Sequence, residues 1–292
     1  MMRHLVSIQD LTDPDIVRIL DRAAVIERDP KPVRHLLDGR IVATAFFEPS
    51  TRTRLSFESA ALRLGAGVIG FSDPASTSTS KGESLEDTTR ILSGYADLIV
   101  MRHPKEGAAK RAAEVATVPL VNAGDGPGEH PTQALLDLYT IRKERGRLDG
   151  VKVALVGDLK FGRTVHSLVP LLKRVGAEVV AVAAPGLELP AGVGRGVSTA
   201  TLEEAAAGCD VLYVTRIQKE RFAAGSAPLD ASAFRVDAAL LKRTASKAIV
   251  MHPLPRVDEV ATDVDATPAA KYFDQARNGV PVRMAVLSAL LT

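Results

Sequence analysis

Apolar positions along this chain switch repeatedly between the alternating spacing of strands and the three-to-four-residue spacing of helices. Ile16, Ile19 and Leu20 share one helical face after Thr12-Asp13-Pro14-Asp15, which predicts a helix through about residue 28. Residues 40–46 (RIVATAF) read as a short buried strand. Leu55, Phe57, Ala61, Leu62 and Leu64 then recur at helical spacing until Gly65. Strands are expected at 68–71, 96–102 and 118–122, and helices at 86–95 and 132–144. After the polar, glycine-bearing stretch 145–150 the pattern restarts. Strands at 151–156, 177–183, 210–215 and 248–251 alternate with helices at 163–175, 201–207 and 237–243. Residues 274–290 read as helix, with an expected break at Asn278-Gly279-Val280-Pro281. Alternation of this kind implies parallel sheets with crossover helices. The expected fold is therefore α/β: two domains, each with a mainly parallel sheet flanked by helices, and an active-site cleft between them. The expected division is 1–145, 146–272, and a C-terminal helix 273–292 returning to the first domain.

Composition narrows the choice without making it. The 292 residues are 46% hydrophobic and 25% charged, with a net charge of +2, so any basic site must be local and a general nucleic-acid binder is not indicated. No run is long enough to span a membrane, and the N-terminus carries no leader pattern. The sole cysteine, Cys209, has no disulfide partner in the chain and supplies no cysteine cluster for a metal; it reads as a core residue at a helix end. These points lead us to expect a cytoplasmic protein without a structural metal.

The polar residues that stand out fall at expected strand ends, where open α/β sheets bind ligands. Ser50-Thr51-Arg52-Thr53-Arg54 lies where a loop becomes a helix N-terminus, with free backbone N–H groups and the positive end of the helix dipole. Simple capping accounts for one hydroxyl but not for three hydroxyls interleaved with two arginines, so an anion site is expected, with phosphate the obvious occupant. Arg102 follows a buried strand and can bind a phosphate or a carbonyl oxygen. His130 and Gln133 open a helix one turn apart and can bond a carbonyl oxygen and an amide NH2 together. Arg163 at a helix start and Arg216 at a strand end suggest a dicarboxylate. The turn His252-Pro253-Leu254-Pro255 offers backbone carbonyls to an amine. Lys81, in the small polar stretch 72–84, is a candidate mobile cation, although a surface lysine is the plainer reading. Neither G-x-G-x-x-G spacing nor a P-loop occurs, so no nucleotide cofactor is indicated.

Taken together, Ser50-Thr51-Arg52-Thr53-Arg54, Met101-Arg102-His103-Pro104, His130-Pro131-Thr132-Gln133, Gly157 to Ser167, Thr215 to Arg221 and His252 to Glu259 resemble the transcarbamoylases, in unbroken order from about Phe46 onward. The resemblance is to the aspartate-using branch. The ornithine-using branch usually carries a cysteine in place of Pro253 and a Ser-Met-Gly motif, and this chain has neither. What the resemblance implies is a transferase moving the carbamoyl group from carbamoyl phosphate to the amino group of L-aspartate, an early step of pyrimidine synthesis, with no cofactor and no metal. Ser50, Thr51, Arg52 and Thr53 would hold the phosphate. Arg102, His130 and Thr53 would polarise the carbamoyl carbonyl. Gln133 and the carbonyls of Leu254 and Pro255 would hold the carbamoyl amine, and Lys81, Arg163, Arg216 and Gln218 would bind aspartate. It further implies a homotrimer with shared active sites, in which Lys81, with Ser78 or Ser80, serves a neighbouring chain, and a larger assembly with regulatory chains or dihydroorotase as an open option. A two-lobed binding protein that performs no chemistry is the rival reading, and it would not need the His130/Gln133 pair.

Overall fold

The computed structural model describes residues 2–73, 77–216, 234–244 and 246–292. Two compact units emerge, Met1–Tyr139 with Asn278–Thr292, and Thr140–Arg277. Each holds one wholly parallel sheet.

In the first unit, α1 (Asp13–Arg28) starts on a capping box in which Thr12 and Asp15 bond each other's backbone N–H. β1 (Ile41–Phe46) leads to α2 (Thr51–Arg63), β2 (Gly67–Phe71), α3 (Leu85–Tyr95) and β3 (Leu98–His103). Then come α4 (Ala108–Val115), β4 (Leu120–Asp125) and α5 (Pro131–Arg145). The strand order is β2-β1-β3-β4. Ala43, Ala45, Phe47, Ile99, Met101 and Leu120 pack with the alanines of α4 to form its core. β1 and β3 are apolar along nearly their whole length because both faces are covered.

In the second unit, β5 (Lys152–Gly157), α6 (Arg163–Arg174) and β6 (Glu178–Ala183) are followed by the short α7 (Ala191–Gly194) and β7 (Ser198–Thr199). α8 (Leu202–Gly208), β8 (Val211–Val214), α9 (Ala238–Arg243) and β9 (Ile249–Met251) complete the sheet, in the order β7-β6-β5-β8-β9. Val156, Val182, Leu212, Val214, Val250 and Tyr272 lie in its core, and Cys209, at the end of α8, packs half-buried against it. That burial pushes the thiol up from its ordinary value.

The last helix, α10 (Tyr272–Leu291), runs unbroken through the break expected at 278–281. Pro281 sits inside it, and Val282, Ala285 and Val286 are fully buried, so tertiary burial outweighs the lost backbone bond. α4 and α7 were not anticipated. α4 is mostly alanine with a lysine and an arginine, so its apolar face has little contrast with the rest. α2 starts at Thr51, within the stretch where the sequence places a helix N-terminus and four residues before the first apolar position, because its first turn is polar.

Candidate active site

Both sheets reverse direction once. In the first, the chain builds outward from β1 to β2 and then returns to add β3 on the other side. In the second, it builds from β5 through β6 to β7 and then adds β8 beside β5. The crevice beyond the strand ends at such a reversal is where open α/β sheets accept ligands. Ser50 to Thr53 follow β1, Arg102 is the penultimate residue of β3, and Asp158 to Arg163 and Arg216 follow β5 and β8. Topology alone thus selects most of the residues that the sequence singled out.

At the first reversal, Phe46 lies opposite Arg102, and the Phe47 N–H donates to the Arg102 carbonyl at 2.8 Å, so the anion loop and Arg102 leave the sheet side by side. Ser50 occupies the N-cap position of α2, but its hydroxyl makes no capping bond, and the first turn has no acidic residue. α1, α3 and α8 are capped by Thr12, Ser84 and Thr201 and carry acids in their first turns. α2 instead places Arg52 there, against the helix dipole, an arrangement that a bound anion would reverse. Thr53 is buried and Arg52 is exposed, and partial desolvation pulls the Arg52 guanidinium below its ordinary value. Arg54 points elsewhere, and its Nε pairs with Glu58 at 3.3 Å on the flank of α2.

The Arg102 guanidinium is set by Glu48, whose Oε1 accepts from Nε at 2.7 Å, and by the Ala123 carbonyl at 3.3 Å. Asp125 organises the loop toward His130 by accepting from the N–H groups of Gly107 and Glu129 at 3.0 and 2.9 Å. Gly126, at φ +52°, brings the backbone so close to Pro104 that a Cβ would lie 2.6 Å from its carbonyl oxygen. His130 is buried just before α5, and the Gln133 and Ala134 N–H groups donate to its carbonyl. The Gln133 side chain donates to Asp137 at 2.8 Å. Lys81 is exposed at the end of a 3-10 turn, Ser78–Lys81, and forms no ion pair among the described residues.

At the second reversal, a cavity of about 140 Å³ is lined by Arg163, Thr164, Thr215, Arg216 and the turn His252 to Pro255. That is smaller than the roughly 300–1,000 Å³ of sites for drug-sized ligands, and it suits an amino acid. Arg163 is the first residue of α6, which, like α2, lacks a side-chain cap and first-turn acids. The Thr215 hydroxyl donates to the carbonyls of Val156 and Asp158, tying the ends of β5 and β8. Gly157, at φ +112°, is required there, since a Cβ would lie 2.5 Å from the Thr215 oxygen. The turn is locked from behind. His252 Nδ1 accepts the Leu254 N–H at 2.7 Å, which leaves the ring proton on Nε2, 2.8 Å from Glu259. Burial favours the neutral Glu259 carboxyl, but the bonds from His252 and from backbone N–H groups outweigh it and hold the group below the usual carboxylate range. Leu254 is thereby kept at φ +59°, in the left-handed region. Arg256 turns away, pairing with Asp265 and stacking 5.0 Å from the Tyr272 ring. Gln218 lies outside the described residues. No group of three His, Cys, Asp or Glu residues able to hold a metal occurs among the described residues, and no described helix is long and apolar enough to cross a membrane.

Residues 3–143 match the family described as aspartate/ornithine carbamoyltransferase, carbamoyl-P binding domain, and residues 149–290 match its Asp/Orn binding domain. The chain belongs to the aspartate/ornithine carbamoyltransferase family. Within that family it is 52% identical, over the full length of both chains, to an aspartate carbamoyltransferase catalytic subunit of Archaeoglobus fulgidus. It is 50% identical to the same-named protein of Methanocella arvoryzae, over 99% of this chain and 97% of that one. Among solved carbamoyltransferase structures, the M. jannaschii aspartate transcarbamoylase catalytic subunit superposes with a TM-score of 0.90 at 49% identity, covering 99% of this chain and 98% of that one. The Trypanosoma cruzi aspartate transcarbamoylase in complex with carbamoyl phosphate gives 0.93 at 44% identity, covering 100% and 96%.

The roles of Glu48 and Asp137, and the pairing of His252 with Glu259 behind the turn, are what sequence reasoning passed over. Glu48 stands two residues before Ser50, and Asp137 stands one helical turn after Gln133. Their charges were the available signal.

Proposed function

We infer that this chain is an aspartate carbamoyltransferase. It transfers the carbamoyl group of carbamoyl phosphate to the amino group of L-aspartate, giving N-carbamoyl-L-aspartate and phosphate for pyrimidine synthesis. The observation that carries the reading is the small cavity bearing Arg163 and Arg216, two guanidiniums suited to the two carboxylates of aspartate. The named relatives, and the T. cruzi enzyme crystallised with carbamoyl phosphate and aspartate, support the same substrates.

In this reading Ser50, Thr51, Arg52 and Thr53 hold the phosphate at the N-terminus of α2. Arg102, His130 and Thr53 stabilise negative charge as it develops on the carbamoyl oxygen. Gln133 accepts from the carbamoyl amine, and the carbonyls of Leu254 and Pro255 also accept from an amine. Arg163, Arg216 and Gln218 orient aspartate. Its amino group attacks the carbonyl carbon, the tetrahedral intermediate collapses with departure of phosphate, and the phosphate takes up the amine proton. No enzyme nucleophile is required, so the rate gain comes from orientation and charge stabilisation.

The reading extends to a homotrimer in which Lys81, with Ser78 or Ser80, completes a neighbouring chain's site. Five of the nine exposed large apolar side chains of the described residues, Leu55, Leu62, Ile69, Ile91 and Tyr95, lie on α2, α3 and the edge strand β2, as an interface would need. Mixing K81A and R52A chains should then restore activity to verified mixed oligomers, and no recovery would remove the shared site.

The deciding assay supplies carbamoyl phosphate with L-aspartate and L-ornithine in parallel. Product with aspartate alone is expected. Product with ornithine would overturn the second unit's assignment, and no product with either, from folded protein, would favour binding without chemistry.

A further inference from the structure

We propose that Asp137 is a positioning residue of the candidate active site: it grips the Gln133 side chain by its NH2 end and so turns the Gln133 oxygen toward the ligand's amine. This deepens the reading above and rests on it, because it takes Gln133 as the group that meets the carbamoyl NH2.

Gln133 and Asp137 lie four residues apart on one face of α5. Both are buried, Asp137 completely, and Gln133 Nε2 donates to Asp137 Oδ1 at 2.8 Å. A carboxylate only accepts, so the NH2 end of the amide must face it and the carbonyl end must face away. A carbamoyl NH2 is itself a donor. Were the amide reversed, two donors would oppose each other and the bond would be lost. Asp137 therefore selects between two orientations of nearly identical shape and opposite hydrogen-bonding sense.

A buried carboxylate needs a counter-charge, and α10 supplies Arg283. Arg283 is 3% exposed, with its guanidinium carbon 4.9 Å from the ring centre of Phe57 on α2. Burial pulls its pKa down to about 10, Asp137 works in the opposite direction, and Arg102 adds to the depression. The room for this guanidinium comes from Gly279, where a Cβ would lie 2.4 Å from Arg283 Nη1. A glycine inside a helix, which by local signals alone reads as a break, is thus part of the same arrangement. Of Gln133, Asp137, Arg283 and Gly279, only Gln133 is assigned a contact with substrate.

The test is a donor–acceptor exchange. Q133E sets a second carboxylate against Asp137 and should lower kcat/KM for carbamoyl phosphate by ~100-fold, the scale of a misplaced reactant. In Q133E/D137N the amide at position 137 donates to the carboxylate at position 133, which still offers an oxygen to the ligand. The net charge beside Arg283 is kept. At least ~10-fold of the loss should return, the size of coupling expected for residues in contact. Inorganic phosphate, used as a competitive inhibitor, lacks the amine and should bind wild type and both variants within about 2-fold, because phosphate binding is assigned to other groups. The proposal is overturned if the folded exchange variant is no more active than Q133E, or if phosphate affinity falls in step with activity. It is equally overturned if the exchange variant no longer folds, since the pair would then serve the fold alone. A Q133A variant with wild-type KM for carbamoyl phosphate would instead break the role given to Gln133. An impaired Q133A beside a fully active D137A would break only the role given to Asp137.

Discussion

The two sheet reversals share a topology and differ in how they attract charge. The first draws on a helix N-terminus stripped of its usual cap and acids, with hydroxyls and Arg52 in the first turn. Its neighbour Arg102 is held by Glu48. The second depends on side-chain guanidiniums at the end of β8 and at the start of α6, set around a turn that the His252–Glu259 pair stiffens. Backbone N–H groups converge on a compact, multiply charged phosphate. Separated guanidiniums fit two carboxylates held apart by a carbon chain. Under the proposed assignment, one architecture serves two anion shapes by changing which part of the chain carries the positive charge.

The largest blow to this contrast should come from H252A. Removing the imidazole deprives Glu259 of a charge-assisted hydrogen bond, orphans the Leu254 N–H and leaves a cavity, and unfolding stability should fall by about 3–5 kcal/mol, read from denaturant midpoints. A loss under about 1 kcal/mol would mean that the second turn is not held by this pair. At the first reversal the effect should be on rate. R52A and H130A should each reduce kcat by about 10²–10³, or roughly 2.7–4 kcal/mol, with unfolding midpoints near wild type. Next in size, R216A should raise KM for aspartate by ~10- to 100-fold, the worth of a charged hydrogen bond, and leave KM for carbamoyl phosphate unchanged. An equal rise in both would erase the division of labour. R54A should cost about 0.3–0.5 kcal/mol of stability and little activity, because Arg54 serves a surface pair with Glu58.

Acid sharpens the same contrast. Glu259 has a folded pKa below its ordinary 4.5, so its contribution is complete above that value and disappears as pH falls through the lower folded one. The stability difference between wild type and E259Q should shrink over that acid window. A difference that is flat with pH would show that the charge of Glu259 is immaterial.

Much of this was legible in the sequence, for definite reasons. Strands buried on both faces announce themselves as apolar runs, and Ser50, Arg102 and Arg216 stand out because they lie at or just beyond the ends of such runs, Arg163 because it opens the next helix. What stayed hidden depended on partners distant in sequence. Arg54 is the exception: Glu58, four residues on, is a local signal that Arg54 pairs on the flank of α2 while Arg52 does not. Glu48 meets Arg102 across 54 residues. The continuity of α10 through Gly279 and Pro281 follows from what its buried residues pack against, so a local breaker signal could not settle it.

The composition of the first unit has a further consequence, for synthesis. Its last segment, Asn278–Thr292, is separated from Tyr139 by the whole of Thr140–Arg277. At roughly 5–20 residues per second, the ribosome needs about 7–28 s to make that intervening stretch. Throughout that interval the nascent first unit has neither Arg283 to face Asp137 nor Val282, Ala285 and Val286 to fill its interior. The second unit, continuous in sequence, is fully synthesised before the first can close. The half of the molecule that begins first is finished last, and its waiting surface is what a chaperone or a protease would meet.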